Sequence, residues 1–145
     1  MLGVRFGYYT TDPATAWEID SLLDYFEENL NDILGAVGRT VFGAEKKDSD
    51  DADVLAYFDK MISFLNERLE RHGQEYIGGT NNLTIADLKV MQGITLILEG
   101  ANPCPAEIKD QCREKIAAKP KVEAYLNKLK SDIQRYLDVR DPTPL

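Results

Sequence analysis

Apolar residues recur along this chain with the period of a helix rather than a strand. Ile19, Leu22, Leu23, Phe26, Leu30, Ile33, Leu34 and Val37 follow one another at intervals of three, one, three, four, three, one and three. That spacing keeps side chains on one stripe of an α-helix. Thr11 or Asp12 suits its N-cap, and Pro13 suits the first turn, where a missing N–H costs nothing. Gly35 and Gly38 weaken its last turn. A second stripe runs through Val54, Leu55, Phe58, Met61, Ile62, Leu65 and Leu69 and ends at Gly73. The polar run Asp48-Ser49-Asp50-Asp51-Ala52-Asp53 leads into it, placing negative charge at the partially positive end of the helix.

The clearest local signal is Leu83-Thr84-Ile85-Ala86-Asp87-Leu88, after the loop Tyr76 to Asn82. Thr84 as N-cap can accept from the Asp87 N–H while the Asp87 carboxylate accepts from the Thr84 N–H. This is a capping box, with Asp in place of the usual Glu or Gln. Leu83 and Leu88 are spaced as a hydrophobic staple around it. Up to Leu98 only Asp87, Lys89, Gln92 and Thr95 interrupt the apolar character, which predicts a buried central helix. A short helix is expected from about Ala106 to Ala118, after a turn at Pro103 and Pro105. A last one begins at Pro120 and carries Val122, Tyr125, Leu126, Leu129, Ile133, Tyr136 and Leu137 at helical spacing. The opening segment, Gly3 to Thr11, reads as extended. The tail Asp141-Pro142-Thr143-Pro144 cannot continue a helix. With no period-2 segment longer than four residues, the expectation is an all-α five-helix bundle without a sheet.

Charge narrows the partners. The 25 acidic and 17 basic residues leave a net charge of −8, which repels nucleic-acid backbones and anionic membranes. No apolar run reaches the ~18 residues of a membrane span, and the first residues lack the pattern of a signal peptide. A cytoplasmic protein is the simplest reading. Cys104 and Cys112 are the two cysteines, without a CxxC or Cys/His cluster, and are expected as reduced thiols. Counted from Asp48, a calcium loop would want Gly at its sixth position and Glu at its twelfth. Asp53 and Asp59 stand there instead, so no metal site is expected.

Three segments, in this order, resemble the C-terminal helical domain of cytosolic glutathione transferases, in particular the sigma, alpha, mu and pi group. They are Leu2-Gly3-Val4-Arg5-Phe6-Gly7-Tyr8-Tyr9 with the acids Asp20, Asp24, Glu27 and Glu28; Tyr76-Ile77-Gly78-Gly79 with the capped helix start; and Pro120-Lys121-Val122-Glu123-Ala124-Tyr125-Leu126. The resemblance divides the chain into residues 1–11, a linker from a missing N-terminal half, residues 12–140, the helical domain, and residues 141–145, the tail. In that family a thioredoxin-like N-terminal domain holds glutathione and activates its thiol, and this sequence contains no βαβ pattern. The resemblance therefore implies no catalytic residue here and no cofactor bound by this chain alone. Glutathione enters as co-substrate when the other half is present.

The resemblance further implies that Asp24 and Glu28 lie where a carboxylate reaches across a dimer to the γ-glutamyl ammonium of the partner's glutathione. A dehydrated ammonium wants such a counter-charge. Read without the family, Asp20, Asp24, Glu27, Glu28 and Asp32 are the solvated face of an amphipathic helix. Leu30, Leu34 and Val37 are the corresponding candidates for a hydrophobic electrophile pocket, and equally read as core. Thr84 and Asp87 are structural. Tyr8 and Tyr9 read as packing residues, His72 as a structural helix-end residue, and Cys112 as a mid-helix thiol with no basic neighbour on its N-terminal side, only Arg113 and Lys115 after it, and no persuasive nucleophile. Two roles follow: the helical half of a detoxifying glutathione S-transferase, or a non-catalytic protein–protein docking module. In both, a homo-oligomer or a partner protein covers an exposed apolar face, with no role for nucleic acid or membrane.

Overall fold

The computed structural model describes residues 2–5, 7–41, 47, 49–99 and 104–139, the side chains at 2, 39–41 and 135–139 excepted. The predicted tail, Pro103, Asp48 and the side chains of Tyr136 and Leu137 lie outside the described residues. Six α-helices and no strand are present among them: α1 (Leu2–Arg5), α2 (Pro13–Val41), α3 (Asp50–His72), α4 (Ile85–Leu98), α5 (Ala106–Ala117) and α6 (Pro120–Val139). The five predicted helices are α2 to α6. The additional α1 replaces part of the extended opening expected from Gly3 to Thr11. Four residues are too few to display a helical period. The short helix closes because Gly7, at φ +77°, turns the chain back so that the Tyr8 and Tyr9 N–H groups donate to the Gly3 carbonyl.

Between the two possible N-caps of α2, the structure selects Asp12. Its carboxylate accepts from the Thr15 N–H at 2.8 Å and the Thr15 hydroxyl at 2.7 Å. These bonds, the backbone one first, hold the Asp12 carboxyl below its usual range. α3 begins with Asp50, Asp51 and Asp53 in its first turn and ends in a left-handed Gly73, φ 60°, whose N–H reaches the Leu69 carbonyl. A glycine takes that conformation without the side-chain clash other residues meet.

Both predicted stripes face inward. Ile19, Leu22, Phe26, Leu30 and Ile33 of α2 and Val54, Phe58, Met61, Ile62 and Leu65 of α3 are buried in one core. Leu23, Leu34, Val37 and Leu55 pack partly buried at its edge. α3 packs on α2, α5 and α6, and α4 also packs on α2, α5 and α6, so these two helices join α2 to the α5–α6 pair. The core side of α4 is Ala86, Val90, Gly93, Ile94 and Ile97, all buried. Yet Leu88 is 36 % exposed and Gln92 exposed, so this mostly apolar helix keeps one solvent edge.

Gly35 sits exposed inside α2, and a Cβ built on it meets nothing within 4 Å. Gly35→Ala is therefore expected to stabilise the domain by about 0.5–1 kcal/mol through reduced chain entropy, read as a higher thermal midpoint.

Candidate functional site

α2 carries the acids Glu18, Asp20, Asp24, Glu27, Glu28 and Asp32, and neighbouring elements sort them. Tyr9 donates its hydroxyl to both oxygens of Asp20 at 2.7 Å, and this bond raises the Tyr9 phenol above its ordinary value. Lys89 of α4 pairs with Glu27, whose carboxyl is thereby held below the usual range. Glu18 pairs with the nearly buried Arg68 of α3, which also donates to the Ser21 hydroxyl at 3.3 Å. Asp24 and Glu28 remain exposed, with no hydrogen bond or ion pair to a described residue. Periodicity alone places Asp20, Asp24, Glu27, Glu28 and Asp32 on one solvated face; tertiary pairing engages Asp20 and Glu27, while Asp24, Glu28 and Asp32 stay exposed.

Beside them lies an aromatic pair. Tyr25 of α2 stacks on Phe64 of α3 with ring centroids 3.8 Å apart and planes 24° from parallel. Arg68 covers the Phe64 ring at 5.4 Å and Lys60 the Tyr25 ring at 5.8 Å. Burial, then the charges of Glu67 and Glu28, push the Tyr25 phenol upward. The Tyr25 hydroxyl and Glu28 therefore share one neighbourhood on the α2–α3 face.

The apolar candidates divide. Leu30 is buried, and its two terminal methyl carbons lie 3.8 Å from where a Cβ on Gly93 of α4 would stand. Its place is in the α2–α4 packing. Leu34 and Val37 are partly buried at the C-terminal end of α2, against the core cluster.

Thr84 and Asp87 meet as the capping box. Asp87, 0 % exposed, does most of the closing: it accepts from the Thr84 N–H at 2.8 Å and the Thr84 hydroxyl at 2.7 Å through one oxygen. The other oxygen takes the Ile77 N–H at 3.0 Å and the Tyr125 hydroxyl of α6 at 2.7 Å. One carboxylate thus fixes the Gly78–Gly79 loop, the α4 start and α6 together. Local spacing reveals the Thr84 half only. Tyr125 lies 38 residues away in a stripe that reads as plain core, and nothing in the sequence marks its hydroxyl as a partner.

The remaining candidates serve the fold. Tyr8 is 42 % exposed and contributes its backbone carbonyl to the Ile85 N–H at 2.9 Å. Cys104 and Cys112 are buried, and burial above all pushes the Cys112 thiol up to about 12, far from a nucleophile's range. No helix among the described residues is long and apolar enough to cross a membrane.

The described residues form an all-helical domain with a capped central helix, α4, and a long acidic helix, α2, before it. Its sequence matches the family profile described as glutathione S-transferase, C-terminal domain, over residues 31–129, and the chain belongs to that family. Neither a curated protein nor a solved structure matches it.

Proposed function

We propose that this chain is the helical half of a sigma/alpha/mu/pi-like glutathione S-transferase, contributing dimer contacts and part of the hydrophobic electrophile site for glutathione conjugation. The observation carrying this reading is the family match together with the two exposed carboxylates, Asp24 and Glu28, on the helix that follows the linker-like segment. In this role Asp24 and Glu28 accept the γ-glutamyl ammonium of glutathione held by the other protomer, a charge-assisted contact. Leu34 and Val37, at the partly open end of α2, line the electrophile side, with Leu30 supporting them from the core. In this reading glutathione activation belongs to a thioredoxin-like half and not to this helical domain.

Exposed Val4, Tyr8, Trp17 and Leu88 favour a second reading, a docking module of the same fold whose partner covers apolar surface. Both readings place the protein in the cytoplasm and make it at least a dimer. The purified chain is expected to give no conjugation of a generic aryl halide with glutathione above the uncatalysed rate, and to sediment as a dimer at high micromolar concentration. Turnover would overturn the division of labour, and a monomer would remove the dimer contacts from both readings. Adding Glu28→Lys should weaken the dimer if α2 faces the partner.

A further inference from the structure

The extensive helix–helix packing of the described residues runs among α2 to α6, and α1 takes no part in it. Val4, Arg5, Gly7 and Tyr8 are exposed, while Tyr9 packs partly buried against the core. The described part of the opening segment therefore lies on the domain rather than in it.

This segment is closed on itself. The Gly3 carbonyl accepts from the Tyr8 N–H at 2.8 Å and the Tyr9 N–H at 3.1 Å, and the Gly7 N–H donates to the Val4 carbonyl at 3.2 Å. A Cβ on Gly3 would stand 3.0 Å from Tyr9 Cβ, so the two ends of the turn touch as closely as a glycine allows. What moves Tyr9 moves α1 with it.

Two adjacent residues tie this turn to two different helices. The Tyr9 hydroxyl donates to both oxygens of Asp20 on α2 at 2.7 Å. The Tyr8 carbonyl accepts from the Ile85 N–H, in the first residue of α4, at 2.9 Å. That N–H belongs to the helix start, where donors have no acceptor within their own helix. Beyond Tyr9 the start of α2 is closed locally. The Thr10 hydroxyl accepts from the Asp12 N–H at 3.0 Å, and Asp12 accepts from Thr15. Thr10 and Thr11 are thus the hinge. A single turn cannot hold its shape in water by itself, so once it leaves the domain its own N–H groups are freed as well.

We propose that Leu2–Arg5 and Gly7–Tyr9 form a strap that opens as one unit while α2 to α6 stay folded. The Tyr9 phenol is its catch, and the first turn of α4 is the element it controls. Closed, the strap takes Asp20 out of the acidic face of α2 and supplies the acceptor for Ile85. Opening reverses both at once, leaving the Asp20 carboxylate bare about one turn before Asp24. The device is independent of the glutathione reading, since it is read on backbone amides alone.

Amide exchange of the intact chain is followed by NMR in rising, sub-denaturing urea. The amides at positions 8, 9 and 85 are expected to share one opening with weak urea dependence. Phe58 and Ile62, buried in α3, should instead show the steep dependence of global unfolding. Tyr9→Phe keeps the ring and removes the catch. It should raise the three strap rates together by about tenfold, with their weak urea dependence retained. Asp20→Ala should do the same, and the double variant should add nothing further. Unchanged rates in Tyr9→Phe, a steep urea dependence at the three amides, a rate at Ile85 that does not follow the other two, or additive effects in the double variant overturns the proposal.

Discussion

Asp87→Ala is expected to cost about 3–5 kcal/mol of folding stability and to lower the thermal midpoint by about 10 °C or more. The substitution leaves four donors without their acceptor in a fully buried place: the Ile77 and Thr84 N–H groups and the Thr84 and Tyr125 hydroxyls. Each stranded buried donor costs about 1–3 kcal/mol, and partial relaxation keeps the total below the simple sum. Tyr125→Phe removes one donor and leaves the carboxylate three others, so it should cost only about 1 kcal/mol. The pair must also be non-additive: in Asp87→Ala/Tyr125→Phe the phenol is no longer stranded, and the double variant should be more stable than the two single losses imply. Thermal and urea denaturation of the four proteins close the cycle. A wild-type melting curve for Asp87→Ala would show that the loop, α4 and α6 are not joined through this carboxylate.

What the sequence discloses and what it hides follow from the range of each interaction. Stripes such as Val54 to Leu69 and the Thr84–Asp87 spacing are local, and α3 and the start of α4 stand where those patterns put them. Gly73 and Pro120 mark a helix end and a helix start for equally local reasons. α1 escaped because four residues carry no period, and its closure depends on Gly7 taking φ +77°. The exposed edge of α4 at Leu88 escaped because an apolar residue says nothing by itself about which neighbour is absent.

The candidate site was legible only as composition. The spacing of Asp20, Asp24, Glu27, Glu28 and Asp32 puts acids on the outer face of α2, but their fates are decided by Tyr9 and by Lys89, up to 62 residues distant. Leu30 and Leu34 fall on one stripe, and only tertiary packing separates the buried Leu30, set against α4, from the partly buried Leu34. Such encounters are tertiary, and no window of the sequence contains both partners.

The domain is also expected to be unusually sensitive to alkali. Burial, with smaller contributions from the Asp87 charge and hydrogen bond, pushes the Tyr125 phenol well above its ordinary 10.0, and burial pushes the Cys112 thiol from 9.0 up to about 12. Both groups are neutral when protonated, so the folded state holds protons that the unfolded chain gives up first. Their contribution to stability is complete below pH 9, begins to fall as unfolded Cys112 ionises, and falls faster above pH 10 when unfolded Tyr125 joins it. Each group adds a slope of about 1.4 kcal/mol per pH unit once the pH lies between its unfolded and folded values. The urea midpoint should therefore be nearly level from pH 7 to 9 and drop steeply from pH 10 to 11. Cys112→Ala and Tyr125→Phe should each flatten the drop, whatever they do to stability at pH 7, because the slope counts protons and not packing. Phenolate absorbance offers a second readout: Tyr125 should ionise only together with the loss of helical circular dichroism. A slope unchanged in both variants, or a full phenolate signal from the folded protein near pH 10, would mean that these two groups are not sealed from water by the α3–α6 packing.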